Sequence, residues 1–334
     1  MTGHNKQQIL NYMNHVYIFI LKVLKKIYFI FRKNKQKVEY QNYVEIYDQK
    51  ANDYILSLLL TEKPHLISKF GTIELNTLTC YKLNKQKKYS IKEYFNYIKG
   101  DIPCLWWNIG LKPLCKNAGF FPEDNSLTEK YYQTNINAIK NIDILGSYLK
   151  NESYFKTELR NAVKVNLDGY YAPFYWNNPW TKYLKNKKVL VVHPFSEEIQ
   201  QQYAKRRLLW KNPDILPDFK LITYKSVQSM LYTKTVYNNW FEALEEMKKD
   251  IASIDFDIAI VGCGAYGMPL SAYIKQIGKT AIHMAGWTQI LFGIKGKRWE
   301  ENPKVIPFIN EHWIKPFPYN TPQKADKIEG GCYW

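Results

Sequence analysis

The chain of 334 residues is 46% hydrophobic and 16% aromatic, with a formal net charge of +17, enough apolar material for one large or two ordinary folded domains. The sequence contains no zinc-finger, basic-zipper or RNP-like motif, which argues against a nucleic-acid binder. The five cysteines include no Cys-x-x-Cys pair, which argues against a disulfide framework or a zinc site and favours a reducing, cytosolic setting.

The N-terminal segment, residues 1–38, holds eight basic residues and no acidic one. Apolar side chains recur at helical spacing over residues 9–31 and predict an amphipathic helix. Three lysines near its middle make a membrane-spanning helix costly, and no signal-peptide cleavage site follows. We therefore expect residues 9–37 to lie on an anionic membrane surface, on the inner face of the plasma membrane. A helix packed on the protein's own core and a helix that pairs with a partner protein remain alternatives.

The second part, residues 39–180, combines helical and β-like segments. A β-like run at 65–70 ends at the turn formed by Gly71. Glu74 follows this turn, where a carboxylate can bind a divalent metal such as Mn²⁺ or Mg²⁺, or act as a base. The alternative is a carboxylate at a helix N-terminus, stabilised by the helix dipole. Further predicted elements are helices at 39–62, 127–140 and 152–162, and a short apolar run at 142–146.

The third part, residues 181–334, repeats the alternation of strands and helices. A buried strand begins at Val189 and ends at His193, and apolar runs at 257–261 and 280–284 enclose a helix-like segment. Such alternation predicts a mostly parallel, doubly wound, Rossmann-like sheet with helices on both faces. The second and third parts form either one domain or two.

A glycine-rich turn, Gly262-x-Gly264-x-x-Gly267, follows the strand at 257–261. Such a turn brings backbone N–H groups and a helix N-terminus up to an anion, and predicts a phosphorylated ligand. Dinucleotide-binding proteins place an acidic residue after the next strand, but none occurs between Gly267 and Glu300, so NAD is not expected. The alternative is that the glycines serve only tight packing.

The carboxyl ends of parallel strands meet at one edge of a sheet, where ligands bind. This rule brings Gly71, Glu74, the glycine-rich turn and the segment from His283 to Gln289 to one rim. His193 also ends a strand there and, like His283, is a candidate base or phosphate ligand, although a core histidine with satisfied hydrogen bonds is the alternative.

A basic, glycine-spaced loop spans residues 291–299. Lys295, Lys297 and Arg298 could neutralise a diphosphate; the alternative is a solvated basic loop. Tyr333 and Trp334 end the sequence, and such aromatic side chains predict that this segment docks onto the fold.

Several of these runs resemble a bacterial family of glycosyltransferase-like proteins involved in capsule and cell-surface polysaccharide synthesis. The resemblance covers most of the chain from about residue 65. More distantly, the chain is similar to GT-D-type glycosyltransferases, whose Phe-Gly-Asp-Gly-Glu run supplies a metal-binding Asp-x-Glu. Thr72 stands in place of that Asp while Glu74 keeps the Glu, which puts metal dependence in doubt. The resembling runs are 68–75, 117–122, 189–195, 256–270, 278–283, 289–300 and 329–334.

The resemblance implies a cytoplasmic, membrane-attached glycosyltransferase that moves a sugar from a nucleotide-diphosphate donor to a lipid-linked or cell-surface glycan acceptor. Glu74 would be the base or metal ligand, with His193 and His283 as further candidates. A non-catalytic, membrane-associated polysaccharide assembly or binding protein and an NAD(P)-dependent oxidoreductase remain alternatives. The residues expected around the donor are Gly71, Gly262, Gly264, Gly267, Gln289, Lys295, Lys297 and Arg298.

Overall fold

A computed structural model describes residues 3–32, 44–86, 89–323, 325–327 and 333–334. Within these ranges seven strands form one sheet in the order β3-β2-β1-β7-β6-β4-β5, and all of its pairings are parallel. The predicted α/β fold is thereby confirmed. The strands are β1 Leu66–Ser68, β2 Ile144–Ser147, β3 Val163–Asn166, β4 Lys188–His193, β5 Lys220–Lys225, β6 Ile258–Val261 and β7 Thr280–His283.

Helices connect the strands, as parallel pairing requires. They include a 30-residue N-terminal helix and several helices of four or five residues. The helices are α1 Gly3–Arg32, α2 Asp48–Leu59, α3 Thr72–Gln86, α4 Ile91–Lys99, α5 Leu111–Ala118, α6 Thr128–Ile139, α7 Leu167–Tyr171, α8 Ser196–Ala204, α9 Arg206–Leu209, α10 Trp240–Ala252, α11 Gly267–Gln276, α12 Trp287–Leu291 and α13 Lys297–Glu300.

Two hydrophobic cores cover the two faces of the sheet, because successive strand side chains point to opposite faces. Leu190 and Val192 join the core beneath α3, α5, α6, α10 and α11. Val189 and Val191 join the other core, beneath α2, α7, α8 and α12. The sheet is therefore buried on both sides, as a doubly wound fold requires.

The second and third predicted parts contribute to the same sheet. Residues 39–180 supply β1, β2 and β3, and residues 181–334 supply the other four strands. The two halves join where β1 pairs with β7, with Leu66 opposite Ala281 and Ile67 opposite Ile282. The strand ends of both halves consequently reach a common edge.

The N-terminal segment forms α1, which packs beside α4. Trp106 Nε1 donates a hydrogen bond of 2.8 Å to Asn14 Oδ1, and Leu21 is buried against Tyr97 and Ile102. Within the described ranges, none of the helices combines the length and apolar character needed to cross a bilayer. Residues 33–37 of the predicted membrane-binding segment lie outside the described residues.

A candidate ligand cleft at the carboxyl edge of the sheet

An open cleft lies beyond the carboxyl ends of the strands, with a volume of about 1170 Å³ when the solvent at its mouth is included. Loops that follow β1, β4, β5, β6 and β7 line it, as expected for a ligand site in an open α/β sheet. The cleft brings together eight of the eleven predicted site residues, from both halves of the sheet. These are Gly71, Glu74, His193, Gly262, Gly264, His283, Gln289 and Arg298.

Glu74 lies in the first turn of α3 and also lines the cleft. Its carboxylate folds back over Gly71, so that a Cβ on Gly71 would collide with it. A carboxylate at this position is stabilised by the helix dipole, yet it borders the space where a ligand would sit. Both interpretations of Glu74 are therefore compatible with its position.

A metal ion would find few protein ligands here. Among the described residues no group of three His, Cys, Asp or Glu side chains is placed to hold one. Thr72, two residues before Glu74, is exposed at the rim, and its hydroxyl lies 3.4 Å from the hydroxyl of Tyr148. These residues do not form a metal site by themselves, since Mg²⁺ and Mn²⁺ need several oxygen ligands.

His193 is a buried, neutral donor at the end of β4. Burial lowers the pKa of His193 to about 3. Its Nδ1 accepts a hydrogen bond of 3.0 Å from the amide of Phe195, so the neutral ring carries its proton on Nε2. Because His193 lines the cleft, it can donate a hydrogen bond to a ligand, whereas a base would need a free ring nitrogen.

His283, at the end of β7, is buried to a similar extent. Burial, and to a lesser extent the positive charge of Lys69, lowers the pKa of His283 to about 3. Nδ1 lies 3.0 Å from the hydroxyl of Ser68, and Nε2 is buried without a hydrogen-bond partner among the described residues. The side chain borders both the cleft and a second, smaller cavity, so a core histidine and a ligand contact are both compatible with its position.

Protein contacts account for all three glycines of the Gly-x-Gly-x-x-Gly turn. A Cβ on Gly262 would lie 2.5 Å from the carbonyl oxygen of Ala285, and one on Gly267 would collide with the imidazole of His283. Gly264 adopts a φ of +58° and faces the carbonyl oxygen of Ala118. Gly267 does not line the cleft, although Gly262 and Gly264 do. Tight packing therefore requires these glycines whether or not a ligand is bound.

One of the three cations of the predicted basic loop lies in the cleft lining. Arg298 lines the cleft, with its guanidinium 5.0 Å from the ring centroid of Tyr333. Lys295 instead lies 3.6 Å from the carboxylate of Glu300, and Lys297 is exposed. Neither lysine lines the cleft.

Lys69, which belongs to none of the predicted ligand-binding motifs, is a second cation in the cleft. It follows β1 directly, and its Nζ lies 5.1 Å from the ring centroid of Tyr148. Lys69 and Arg298 therefore border the same space as the glycine turn. Lys69 lies near the end of the predicted β-like run at 65–70, and this position close to the turn at Gly71 is the feature of the sequence that indicates the rim.

Buried polar atoms without partners cluster around the cleft. Such atoms are rare in native proteins and often mark a ligand or water site. Among the described residues, five side chains of the cleft lining carry one. They are Asn117 (Oδ1), Ser226 (Oγ), Gln228 (Nε2), His283 (Nε2) and Trp299 (Nε1).

Aromatic side chains form one wall of the cleft. Trp287 stacks on Tyr171 with ring centroids 3.7 Å apart, and Tyr333 and Trp334 pack nearby. Gln289 Nε2 donates a hydrogen bond of 3.0 Å to the carbonyl oxygen of Tyr333, so Gln289 holds this segment in place. The predicted docking of the last two residues is confirmed, while residues 328–332 lie outside the described ranges.

Comparisons with known proteins assign neither a family nor a function to this chain. A scan against protein-family models, a search of curated proteins and a search of solved structures each found no match. The function is therefore inferred from the residues of the cleft and from the resemblance of the sequence runs.

Proposed function

We propose that the chain is a glycosyltransferase that moves a sugar from a nucleotide-diphosphate donor to a lipid-linked or cell-surface glycan acceptor. The observation that carries this proposal is the meeting of the glycine turn, Arg298 and Lys69 in one cleft at the carboxyl edge of the sheet. The resemblance to bacterial capsule and surface-polysaccharide glycosyltransferase-like proteins supports the same reaction class.

The two cations would hold the diphosphate of the donor. Arg298 offers several N–H donors in a planar group that matches phosphate oxygens, and Lys69 adds a second positive charge to the cleft lining. When the bond between the sugar's anomeric carbon and the phosphate oxygen breaks, the electron pair stays on the diphosphate. Fixed positive charge stabilises that developing negative charge and therefore the transition state.

Glu74 would act as the base. Its carboxylate takes the proton of the acceptor hydroxyl as that oxygen bonds to the anomeric carbon. His193 would donate from Nε2 to a donor oxygen, because its Nδ1 is already engaged by the Phe195 amide. A divalent metal, if one takes part, would need oxygen ligands from the donor itself in addition to Glu74.

Donor turnover by wild type and three variants tests these roles. We expect Glu74→Gln and Arg298→Ala each to lower kcat about 100-fold or more, as the loss of a base or of a charge that stabilises a leaving group does. Lys297→Ala is the matched control, since its side chain is exposed outside the cleft. Unchanged turnover in both Glu74→Gln and Arg298→Ala would reject the assignment.

Thermal shift measurements identify the donor class. UDP-, GDP-, CMP- and dTDP-linked sugars are added with and without Mn²⁺, and a ligand that binds the folded state raises the unfolding temperature. NAD(H) is included in the panel, and a shift with NAD(H) alone would favour an oxidoreductase instead.

A second candidate is a non-catalytic protein that binds or assembles polysaccharide at the membrane. The aromatic wall formed by Trp287, Tyr333 and Trp334 favours it, because flat rings with a polar edge suit sugar surfaces. Such a protein would bind oligosaccharide but turn over no nucleotide sugar, and the two assays above separate the cases.

Attachment to the cytoplasmic face of the membrane is part of the proposal. Ten large hydrophobic side chains of α1 are strongly exposed, among them Phe19 at 67% and Phe31 at 80%. Lys22 and Lys26 are exposed on the same helix, and the segment holds no acidic residue. This combination fits an anionic lipid surface.

A further inference from the structure

We propose that α4 is a second membrane-contacting element, and that α1 and α4 together form one lipid-binding surface. This inference rests on the proposed membrane attachment through α1. The inference goes beyond that attachment by adding residues 91–99 to the membrane contact, and by making α1 a fixed element instead of a flexible tether.

The exposed face of α4 has the same chemistry as that of α1. Its exposed side chains are Ile91, Lys92, Phe95 and Lys99, whose spacing places them on one side of a helix. Ile91 is 75% exposed and Phe95 is 56% exposed. The acidic residue of this helix, Glu93, is buried and accepts a hydrogen bond of 2.9 Å from the amide of Ser90.

The two helices lie side by side. The rings of Tyr17 and Tyr94 are 6.5 Å apart, and Lys25 Nζ lies 4.3 Å from the ring centroid of Tyr97. Further along, a Cβ on Gly100 would lie 2.7 Å from Phe29 Cζ. These contacts advance in the same direction along both helices, so α4 flanks α1 along much of its second half.

The side of α1 that contacts the protein is distinct from the side it exposes. Asn14, Leu21 and Lys25 lie on the contacting side. The other sides of the helix carry its strongly exposed apolar residues, which include Val16, Phe19, Ile20, Val23, Leu24, Ile27, Ile30 and Phe31. A helix anchored in this way presents its apolar side in a fixed direction.

Exposed hydrophobic side chains are concentrated in this region. Of the nineteen strongly exposed large hydrophobic side chains among the described residues, ten lie on α1 and two on α4. Such a concentration of exposed apolar side chains on two neighbouring helices marks an interaction site. Its rim of lysines, with no exposed carboxylate on either helix, matches anionic phospholipid.

Vesicle co-sedimentation of the full chain tests the proposal. The vesicles contain phosphatidylcholine alone or with 30% phosphatidylglycerol, at about physiological ionic strength. We expect wild type to bind the anionic vesicles. We expect Ile91→Glu/Phe95→Glu to weaken that binding about tenfold or more, because two apolar side chains that would insert into the lipid are replaced by charges that anionic lipid repels.

Two further variants make the result specific. Val236→Glu/Leu208→Glu changes two side chains that are 91% and 52% exposed outside this surface, and should bind like wild type. Lys92→Ala/Lys99→Ala should weaken binding to anionic vesicles in particular. Circular dichroism and the unfolding temperature of each variant establish that it remains folded.

The outcomes separate this inference from the proposed function. If Ile20→Glu/Ile27→Glu abolishes binding while Ile91→Glu/Phe95→Glu binds like wild type, α1 acts alone and the inference is overturned. If wild type binds no vesicles, membrane attachment fails together with the inference. Donor turnover, measured in solution, reports independently on the enzyme.

Discussion

Lowering the pH from 7 to 5 should destabilise the folded protein, because His193 and His283 are buried as neutral rings. Burial is the largest cause in both cases, and it lowers each pKa to about 3. Lys69 adds its positive charge near His283. In the unfolded chain both rings regain a pKa near 6.5.

The direction of the pH effect on stability follows from the number of protons that each state binds. Below about pH 6.5 the unfolded state binds more protons than the folded state, so stability is complete above that pH and is lost as the pH falls toward 3. A pKa difference contributes about 1.36 kcal/mol per unit. Between pH 6.5 and pH 5 each histidine therefore lowers the free energy of unfolding by about 2 kcal/mol, and the pair by about 4 kcal/mol.

Urea unfolding at pH 7 and pH 5 measures this loss in wild type, in His193→Gln, in His283→Gln and in the double variant. Each substitution should remove about 2 kcal/mol of the pH-dependent loss, whatever its effect on absolute stability. His312→Gln is the control, because that ring is partly exposed and lies beside Glu311 at the surface. An equal loss in wild type and in the double variant would refute the claim that the two rings are neutral and desolvated.

Three further outcomes follow from the packing. Gly267→Ala should destabilise the protein by about 1–3 kcal/mol in urea unfolding, because the added Cβ meets the His283 ring. Gly278→Ala is the comparison, because its Cβ would meet no atom and it should cost only about 1–2 kcal/mol for its left-handed backbone conformation. Glu198→Ala should cost about 2–3 kcal/mol in the same assay, because Asn320 Nδ2 loses its buried acceptor. In a thiol titration of the native Cys332→Ser variant, which keeps only the four buried cysteines, no thiol should react quickly. A fast reaction would contradict the burial that raises the pKa of Cys115 to about 12 and also raises the pKa values of Cys80 and Cys263.

The strands that the sequence predicts are the inner ones. Inner strands are buried on both faces and read as continuous apolar runs, as β4 and β6 do. The two strands that were not predicted, β3 and β5, are the edges of the sheet. β5 reads Lys-Leu-Ile-Thr-Tyr-Lys and is partly exposed along its length, so its pattern resembles that of a surface segment.

The same limit applies to the cleft. The loop at 226–230 lines it, but this loop follows an edge strand that the sequence does not predict, so no pattern in the sequence indicates its place at the rim. The basic loop shows a different limit. Lys297 and Arg298 are neighbours on α13, and successive helical residues point about 100° apart, so one faces solvent and the other faces the cleft. Composition and spacing cannot distinguish the two.

The glycine turn, the strongest motif in the sequence, is therefore the weaker basis for the proposed function. Gly262 packs against Ala285 and Gly267 packs against His283, so replacing either glycine would disturb the loops at the carboxyl ends of the strands. A loss of activity in such a variant would reveal nothing about phosphate binding. Arg298 is different, since it is partly exposed and its removal leaves the strands intact. Loss of donor binding in Arg298→Ala with an unchanged unfolding temperature would separate recognition of the diphosphate from maintenance of the fold, which no glycine substitution can do.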